Sequence, residues 1–260
     1  MSGTDVQLAD VVAVACAEAF RGDGEIFASG MGVMPMLGAR LARATFSPDL
    51  LVSDGEAFFV DGDLPVGASL AATDGAGVEG WIPFRSVFDL LWGGRRHVMM
   101  GASQMDVYGN SNIANIGPWE RPSAQLLGVR GGPGNTINHA TSFFIPRHSS
   151  RVFTPSVDMV SGIGYDRAAQ LHPNARAHHR LARVVTNLAV LDFETPDNRM
   201  RLVSVHPGVS VDDVVANTGF ELVIADGVPT SRGPDAAEAA AIERLDPRGL
   251  RHRELPSTER

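Results

Sequence analysis

Two short apolar runs, each passing through a glycine turn into a helical pattern, constrain this chain more than any other feature. Glu25-Ile26-Phe27-Ala28-Ser29 reads as a strand and Gly30-Met31-Gly32 as a turn, and Met36, Leu37, Ala39 and Leu41 then repeat at helical spacing. The stretch from Gln125 to Ser142 repeats the plan. Leu126-Leu127-Gly128-Val129 is short enough for a buried strand, Gly131, Gly132 and Gly134 can hold a turn at positive φ, and Asn135 or Thr136 can cap a helix. Strand, turn and helix in succession are the unit of an α/β protein with an open sheet. The spacing after Gly30-Met31-Gly32 does not complete the dinucleotide fingerprint Gly-x-Gly-x-x-Gly.

The rest of the chain fills in around these units. Thr4 and Gln7 make a capping pattern, and Leu8, Val11, Val12, Ala15 and Ala19 predict a first helix ending at Gly22. Leu50 to Ser53 predicts a strand, residues 61 to 80 a long loop, Trp81 to Trp92 a buried helix closed by Gly93-Gly94, and His97 to Met100 another strand. From Gly101 to Asn112, Asp106, Asn110 and Asn112 are the residues that knit a loop by bonding their own backbone. Arg151 to Phe153 reads as a short strand and Ser161 to Gly164 as a turn. Val184 to Leu191 and Met200 to Val205 read as a hairpin around Thr195-Pro196-Asp197-Asn198. Ser210 caps a helix through Val215, Phe220 to Ile224 is a last strand, and Pro234 to Leu245 is an alanine-rich helix. The charged end from Pro247 to Arg260 is expected to fray or to dock on a partner. The predicted organisation is one α/β domain over 1–230, followed by a C-terminal helix and charged tail over 231–260.

Composition removes whole classes of function. All 22 basic residues are arginine, which excludes Schiff-base chemistry, pyridoxal phosphate attachment and a P-loop lysine. A net charge of −8 argues against a nucleic-acid partner. No apolar run reaches membrane-spanning length, and the polar, acidic N-terminus is not a secretory signal. The single cysteine, Cys16, lies in a helical pattern among alanines and valines, the place of a small buried hydrophobe, so disulfides within the chain are excluded and a cytoplasmic protein is expected. The spacing of His172, His178 and His179 does not put the three on one helical face and no carboxylate completes a known pattern, so solvent-exposed histidines and no metal are expected.

Chemistry concentrates in two places. Ser53-Asp54-Gly55-Glu56 is a sharp polar turn where an open α/β sheet places its reacting groups, although a solvated turn is the plainer reading. The glycine loop leaves backbone N–H groups that would suit a carboxylate, a phosphate or the oxyanion of a thioester, or else it is a tight loop with no ligand.

From about Glu25 to Ile224 the order of elements resembles the β subunit of family I coenzyme A transferases. Four segments carry the resemblance: the turn Gly30-Met31-Gly32, the strand ending near Ser53, the segment Gly101-Ala102-Ser103-Gln104-Met105-Asp106 through Gly109-Asn110-Ser111-Asn112, and the glycine loop from Gly128 to Asn135. The stretch from Val184 through Pro207-Gly208-Val209 is similar to the family's closing hairpin. The resemblance implies an open, mainly parallel sheet of the type shared with sugar-phosphate isomerases, closed by a C-terminal hairpin and helix. It also implies a homologous α subunit, an α2β2 assembly, and an acyl-CoA substrate whose coenzyme A is part of the substrate, with no separate cofactor. Gly128, Gly131, Gly132, Gly134 and Asn135 are then the residues expected to hold an oxyanion or coenzyme A.

One departure matters. In those transferases a glutamate after the second strand attacks the thioester, and the matching place here reads Ser53-Asp54-Gly55. An aspartate falls short by one methylene, about 1.5 Å, enough to spoil an attack geometry. The departure resembles the two-subunit hydrolases that use the transferase fold to open a ring in steroid degradation. Retro-Claisen hydrolysis needs a base for water and donors for an enolate, but no covalent carrier. On that reading the main base sits in the α subunit, and Ser53, Asp54 and Glu56 are the candidates in this chain for positioning water or substrate. The alternatives are a true transferase acting through Asp54 or Glu56, and a non-catalytic chain that binds coenzyme A.

Overall fold

In the computed structural model the described residues are 7–55, 57–70 and 77–256; the Thr4 cap and Glu56 lie outside them. α1 (Leu8–Glu18) is followed by β1 (Phe27–Gly30), α2 (Val33–Thr45) and three short strands, β2 (Val52–Ser53), β3 (Phe58–Val60) and β4 (Val78–Trp81). α3 (Phe84–Trp92) leads to β5 (Arg96–Met100), and two ribbons follow, β6 (Gln104–Met105) with β7 (Ser111–Asn112), then β8 (Asn115–Ile116) with β9 (Ala124–Gln125). α4 (Gly132–Asn138) feeds β10 (Ala140–Ile145), and α5 (Tyr165–Ala168) precedes β11 (Arg180–Thr186). β12 (Ala189–Asp192), β13 (Arg201–Val205), α6 (Val211–Ala216), β14 (Val223–Ile224) and α7 (Ala236–Leu245) complete the order.

The main sheet runs β1-β5-β10-β11-β12-β13-β14. β1, β5, β10 and β11 are parallel, β12 is antiparallel to both its neighbours, and β14 is parallel to β13. This is the open, mainly parallel α/β sheet expected from the sequence. Both faces of the parallel strands are covered, so β5 and β10 are buried at every position instead of alternating. Met99, Phe144 and Val185 join the core made with α1, α2 and α7, whereas Val98, Met100, Phe143 and Ile145 join a second core on the other face. Among the described residues, no helix is long and apolar enough to cross a membrane.

Several local expectations are corrected. The apolar run from Val184 to Leu191 is not one strand: the Thr186 hydroxyl accepts from the N–H groups of Leu188 and Ala189, each at 3.0 Å, and folds it into the hairpin β11–β12. The stretch after Val60 is not loop throughout, because β4 forms at its end and pairs with β3. Arg151 to Phe153 contributes a single bridge, Met105 to Phe153, and the last strand shrinks to Val223–Ile224. The helix expected over Trp81–Trp92 is shorter, Phe84–Trp92, and none of its residues is buried. His179 is half-buried rather than exposed, with its Nδ1 against the Thr136 carbonyl and its ring on Tyr165. The charged end folds back as far as Pro256: Arg251 is buried against Asp10 at 2.7 Å, with Asp246 and Glu243 beside it, and Leu255 enters the core.

Buried imidazoles close the far side of the sheet. His148 lies between the hydroxyls of Thr186 and Thr218 and stacks on Phe153 at 4.0 Å, while His206 Nε2 donates to the Thr186 carbonyl at 2.9 Å. Burial holds His148 down at about 3 and His206 at about 4, from an ordinary 6.5. Both are neutral when folded and take up a proton in the unfolded chain below 6.5. The stability they lend is therefore complete above that value and is lost as pH falls from it toward 4. Denaturant midpoints should drop between pH 7 and pH 5, each histidine contributing up to about 1.4 kcal/mol per pH unit. His148→Gln should shallow that slope; a midpoint independent of pH over this range would refute the account.

Candidate active site

The turn Gly30-Met31-Gly32 lies at the carboxyl end of β1, whereas the glycine loop leads through α4 into the start of β10. Gly30 allows α2 to start hard against β1, where any Cβ would collide with the Met36 backbone, and Gly32 takes φ +111°. Leu51 continues the sheet past β1 through its carbonyl to Ala28 N–H and its N–H to the Ile26 carbonyl, both 2.9 Å. The end of β2 consequently stands beside the end of β1, at the edge where open α/β proteins bind ligands.

At that edge Ser53, Asp54 and Gly55 form one turn. Gly55 N–H donates to Ser53 Oγ at 3.2 Å, and Gly55 itself needs φ +94°. Asp54 Oδ1 accepts from the N–H groups of both Ala57 and Phe58 at 3.0 Å, so this carboxylate closes its own turn. Such an oxygen is poorly placed to attack a thioester. Behind the turn Arg40, from α2, donates one Nη to the Ser53 carbonyl at 3.0 Å and the other to the Leu64 carbonyl. Sequence reasoning missed Arg40, although an arginine beside Leu37 and Leu41 on a buried helical stripe is a visible anomaly.

The glycine loop differs from expectation in detail. Leu126 to Val129 is not a buried strand: the pairing ends at Gln125, and Leu127 is 70% exposed. Of the loop's glycines only Gly128 has positive φ, +83°, and the left-handed position nearer the helix is taken by Arg130. α4 begins at Gly132 and not after Asn135, so Gly132 and Gly134 are helical. Gly132 N–H is already donated to the Val129 carbonyl at 2.9 Å and is not available to a ligand. Its lack of a side chain serves packing, since a Cβ there would lie 2.9 Å from the Ser161 carbonyl oxygen. Asn135 is buried inside the helix instead of capping it. Its Oδ1 accepts from Arg96 at 3.1 Å, and the other end of that guanidinium reaches Ser29 Oγ at 2.8 Å. Arg96 thereby ties α4 to β1, one residue before the first glycine turn. Among the described residues no hydrogen bond joins the Ser53 turn directly to α4; β1 links them.

The knitted loop is as the sequence suggests. Asp106 accepts from Tyr108 N–H and Asn110 N–H at 3.0 Å, and Asn112 donates to Gln104 at 2.7 Å. A second constellation has triad chemistry without access: His97 joins Asp23 through Nδ1 and Ser142 Oγ through Nε2, but His97 and Ser142 are fully buried. Burial of His97 pushes its pKa down, partly opposed by the Asp23 carboxylate. This trio staples the loop before β1 to β5 and β10, and cannot meet a substrate. Cys16 is likewise inert, its thiol pushed up by complete burial. Among the described residues, no three His, Cys, Asp or Glu side chains form a group that could hold a metal ion.

Beside the turn lies an uncovered apolar face. Trp81 is 69% exposed, Phe84 81% and Trp92 66%, and Phe84, Phe88 and Trp92 touch in series along α3. Large aromatics at helical spacing on a face with no cover belong to an interface.

The fold and the paired turns define a class. Residues 11–217 match the family model described as Coenzyme A transferase, and the chain belongs to that family. Within it, the chain is 50% identical over 253 residues to the cholesterol ring-cleaving hydrolase IpdB subunit of Rhodococcus jostii, covering 97% of each chain. The crystal structure of Rhodococcus jostii RHA1 IpdAB superposes with a TM-score of 0.91 at 49% identity, over 97% of this chain and 100% of that one. A 3-oxoadipate CoA-transferase chain of Pseudomonas knackmussii is 28% identical, over 92% of this chain and 93% of that one.

Proposed function

We propose that this chain is the β subunit of a heteromeric acyl-CoA hydrolase that opens the last steroid-derived ring in cholesterol catabolism. The reaction is hydrolytic, retro-Claisen cleavage of a carbon–carbon bond in a cyclic β-dicarbonyl thioester. One observation carries the reading: half of all positions are shared, nearly end to end, with a relative named as a subunit of a cholesterol ring-cleaving hydrolase. The local chemistry agrees with it, because Asp54 stands where the transferases carry an attacking glutamate and is committed to backbone hydrogen bonds. Water, deprotonated by a base, adds to the ring carbonyl. The ring bond breaks, its electron pair forms an enolate on the thioester side, and a proton then restores the carbon acid. The main base comes from a homologous α subunit, in an α2β2 assembly. Asp54 and Glu56 shape the water and substrate site, and the backbone N–H groups of Gly131 and Gly134 are the candidates to hold the enolate oxygen. Coenzyme A enters as part of the substrate, and the enzyme works in the cytoplasm.

The test is turnover by the purified two-subunit complex. A ring acyl-CoA should gain one water and lose the ring, with no acyl-enzyme thioester trapped by hydroxylamine. Asp54→Asn keeps an acceptor oxygen for both backbone N–H groups and should lose less than about tenfold, against ~10²- to 10⁴-fold for loss of the base. Transfer of coenzyme A between two carboxylic acids through a trapped aspartyl or glutamyl thioester would overturn the hydrolase reading. Binding of acyl-CoA with no turnover would mark a non-catalytic chain.

A further inference from the structure

We propose that Arg40 is a positioning residue for the reacting turn: from α2 it grips the backbone on both sides of the β2–β3 hairpin and fixes where Asp54 stands relative to substrate. The inference rests on the functional reading above.

Arg40 is 1% exposed and, among the described residues, is the bulkiest of the fully buried side chains. Burying a guanidinium is costly, and such a group normally faces a carboxylate. Here it hydrogen-bonds to none among the described residues: its two Nη atoms go to the carbonyls of Ser53 and Leu64, and its Nε has no partner. Burial lowers its pKa to about 10, with the Asp54 charge acting through space in the opposite direction, so it stays a cation at neutral pH. A methionine would fill the same space without the desolvation cost. What the guanidinium adds is geometry, because its planar fork spans two carbonyls eleven residues apart in sequence, at the strand end and beyond the hairpin.

The neighbouring turn of α2 supports the same function. Arg43 donates to the Val60 carbonyl at 2.8 Å and pairs with Glu79 on β4, so the small sheet hangs from α2 at Ser53, Val60 and Leu64. Arg43 is compensated by a carboxylate at the surface. Arg40 has no such salt bridge among the described residues, and its positive charge lies directly behind the turn that faces an anionic substrate and a developing enolate.

The experiment compares Arg40→Met and Arg40→Lys in the two-subunit complex, reading kcat and KM on a ring acyl-CoA and amide hydrogen exchange along this chain. Arg40→Met should lower kcat about a hundredfold, as for a misplacement of about 1 Å, while KM moves less than about threefold. Exchange should quicken at residues 53–64 and stay unchanged elsewhere. Arg40→Lys should recover part of kcat, since an ammonium keeps the charge but not the fork. A folded Arg40→Met complex with normal kcat, or a loss accompanied by faster exchange across the whole chain, overturns the proposal. If Arg40→Met does not fold, Arg40→Lys decides: lowered kcat with exchange confined to 53–64 supports positioning, and normal kcat refutes it. If the unmodified complex hydrolyses no ring acyl-CoA, the functional reading fails, and the exchange pattern alone decides whether Arg40 holds the turn.

Discussion

Valine in place of Gly132 is expected to leave a complex that still binds its acyl-CoA but turns it over at least about a hundredfold more slowly. The Cβ would press to 2.9 Å on the Ser161 carbonyl oxygen. Ser161 cannot retreat, because its N–H is held by the Ser111 carbonyl at 2.8 Å and its hydroxyl accepts from Ile113 N–H at 3.0 Å. The first turn of α4 must then move outward, carrying the N–H groups of Gly131 and Gly134 away from the oxyanion they are proposed to hold. Gly134→Ala is the matched control, since its Cβ would meet only the Asn138 side chain at an ordinary 3.7 Å. Steady-state kinetics with melting curves on both variants make the measurement. A folded Gly132→Val complex with an unaltered rate would remove this loop from the site.

The second large effect concerns assembly. Phe84→Asp with Trp92→Asp should leave this chain folded, because neither side chain is buried, yet weaken α-subunit capture about a thousandfold, as for two aromatic hot spots. The assignment of this face to the α subunit rests on continuity: β4 runs directly into α3 and shares its small sheet with β2, which ends at the reacting turn. Sedimentation of the mixed subunits reads the outcome. Normal assembly of the double variant would place the α subunit on another face.

The alternation of strand, glycine turn and helix is enough to anticipate an open α/β sheet, since each unit declares its period and its punctuation locally. The same locality explains the errors. The periodicity of residues 84–92 shows an apolar face but not whether the cover comes from this chain or another, so it suggests core where the structure has surface. Val184 to Leu191 reads as one strand because apolar content outweighs the Thr186-Asn187 pair, whose hydroxyl folds the run in two. For the site, the turn at Ser53 to Gly55 is legible, but the conformation of the loop glycines is not. Three glycines invite a left-handed turn, whereas two of them are helical and Gly132 is needed for a tertiary approach to Ser161, a residue nearly thirty positions away. The contacts of Arg40 and Arg96 are hidden for a similar reason, even though Arg40 stands out on its apolar stripe. Their partners are backbone carbonyls and neutral side chains on other elements, and no charge pattern in the sequence announces such partners.

The return of the C-terminal segment onto α1 bears on how the protein is made. Ala241, Ile242, Leu245 and Leu255 complete the core under α1 and α2, and Arg251 reaches across the length of the chain to Asp10. During synthesis the first two helices emerge long before the residues that seal them. A growing chain must therefore carry an open apolar flank until residues 241–255 leave the ribosome, the condition in which nascent polypeptides recruit chaperones or aggregate. Loss of residues 241–255, by a frameshift or a premature stop, would leave the flank open permanently, even with every residue of the reacting turn and glycine loop already in the chain.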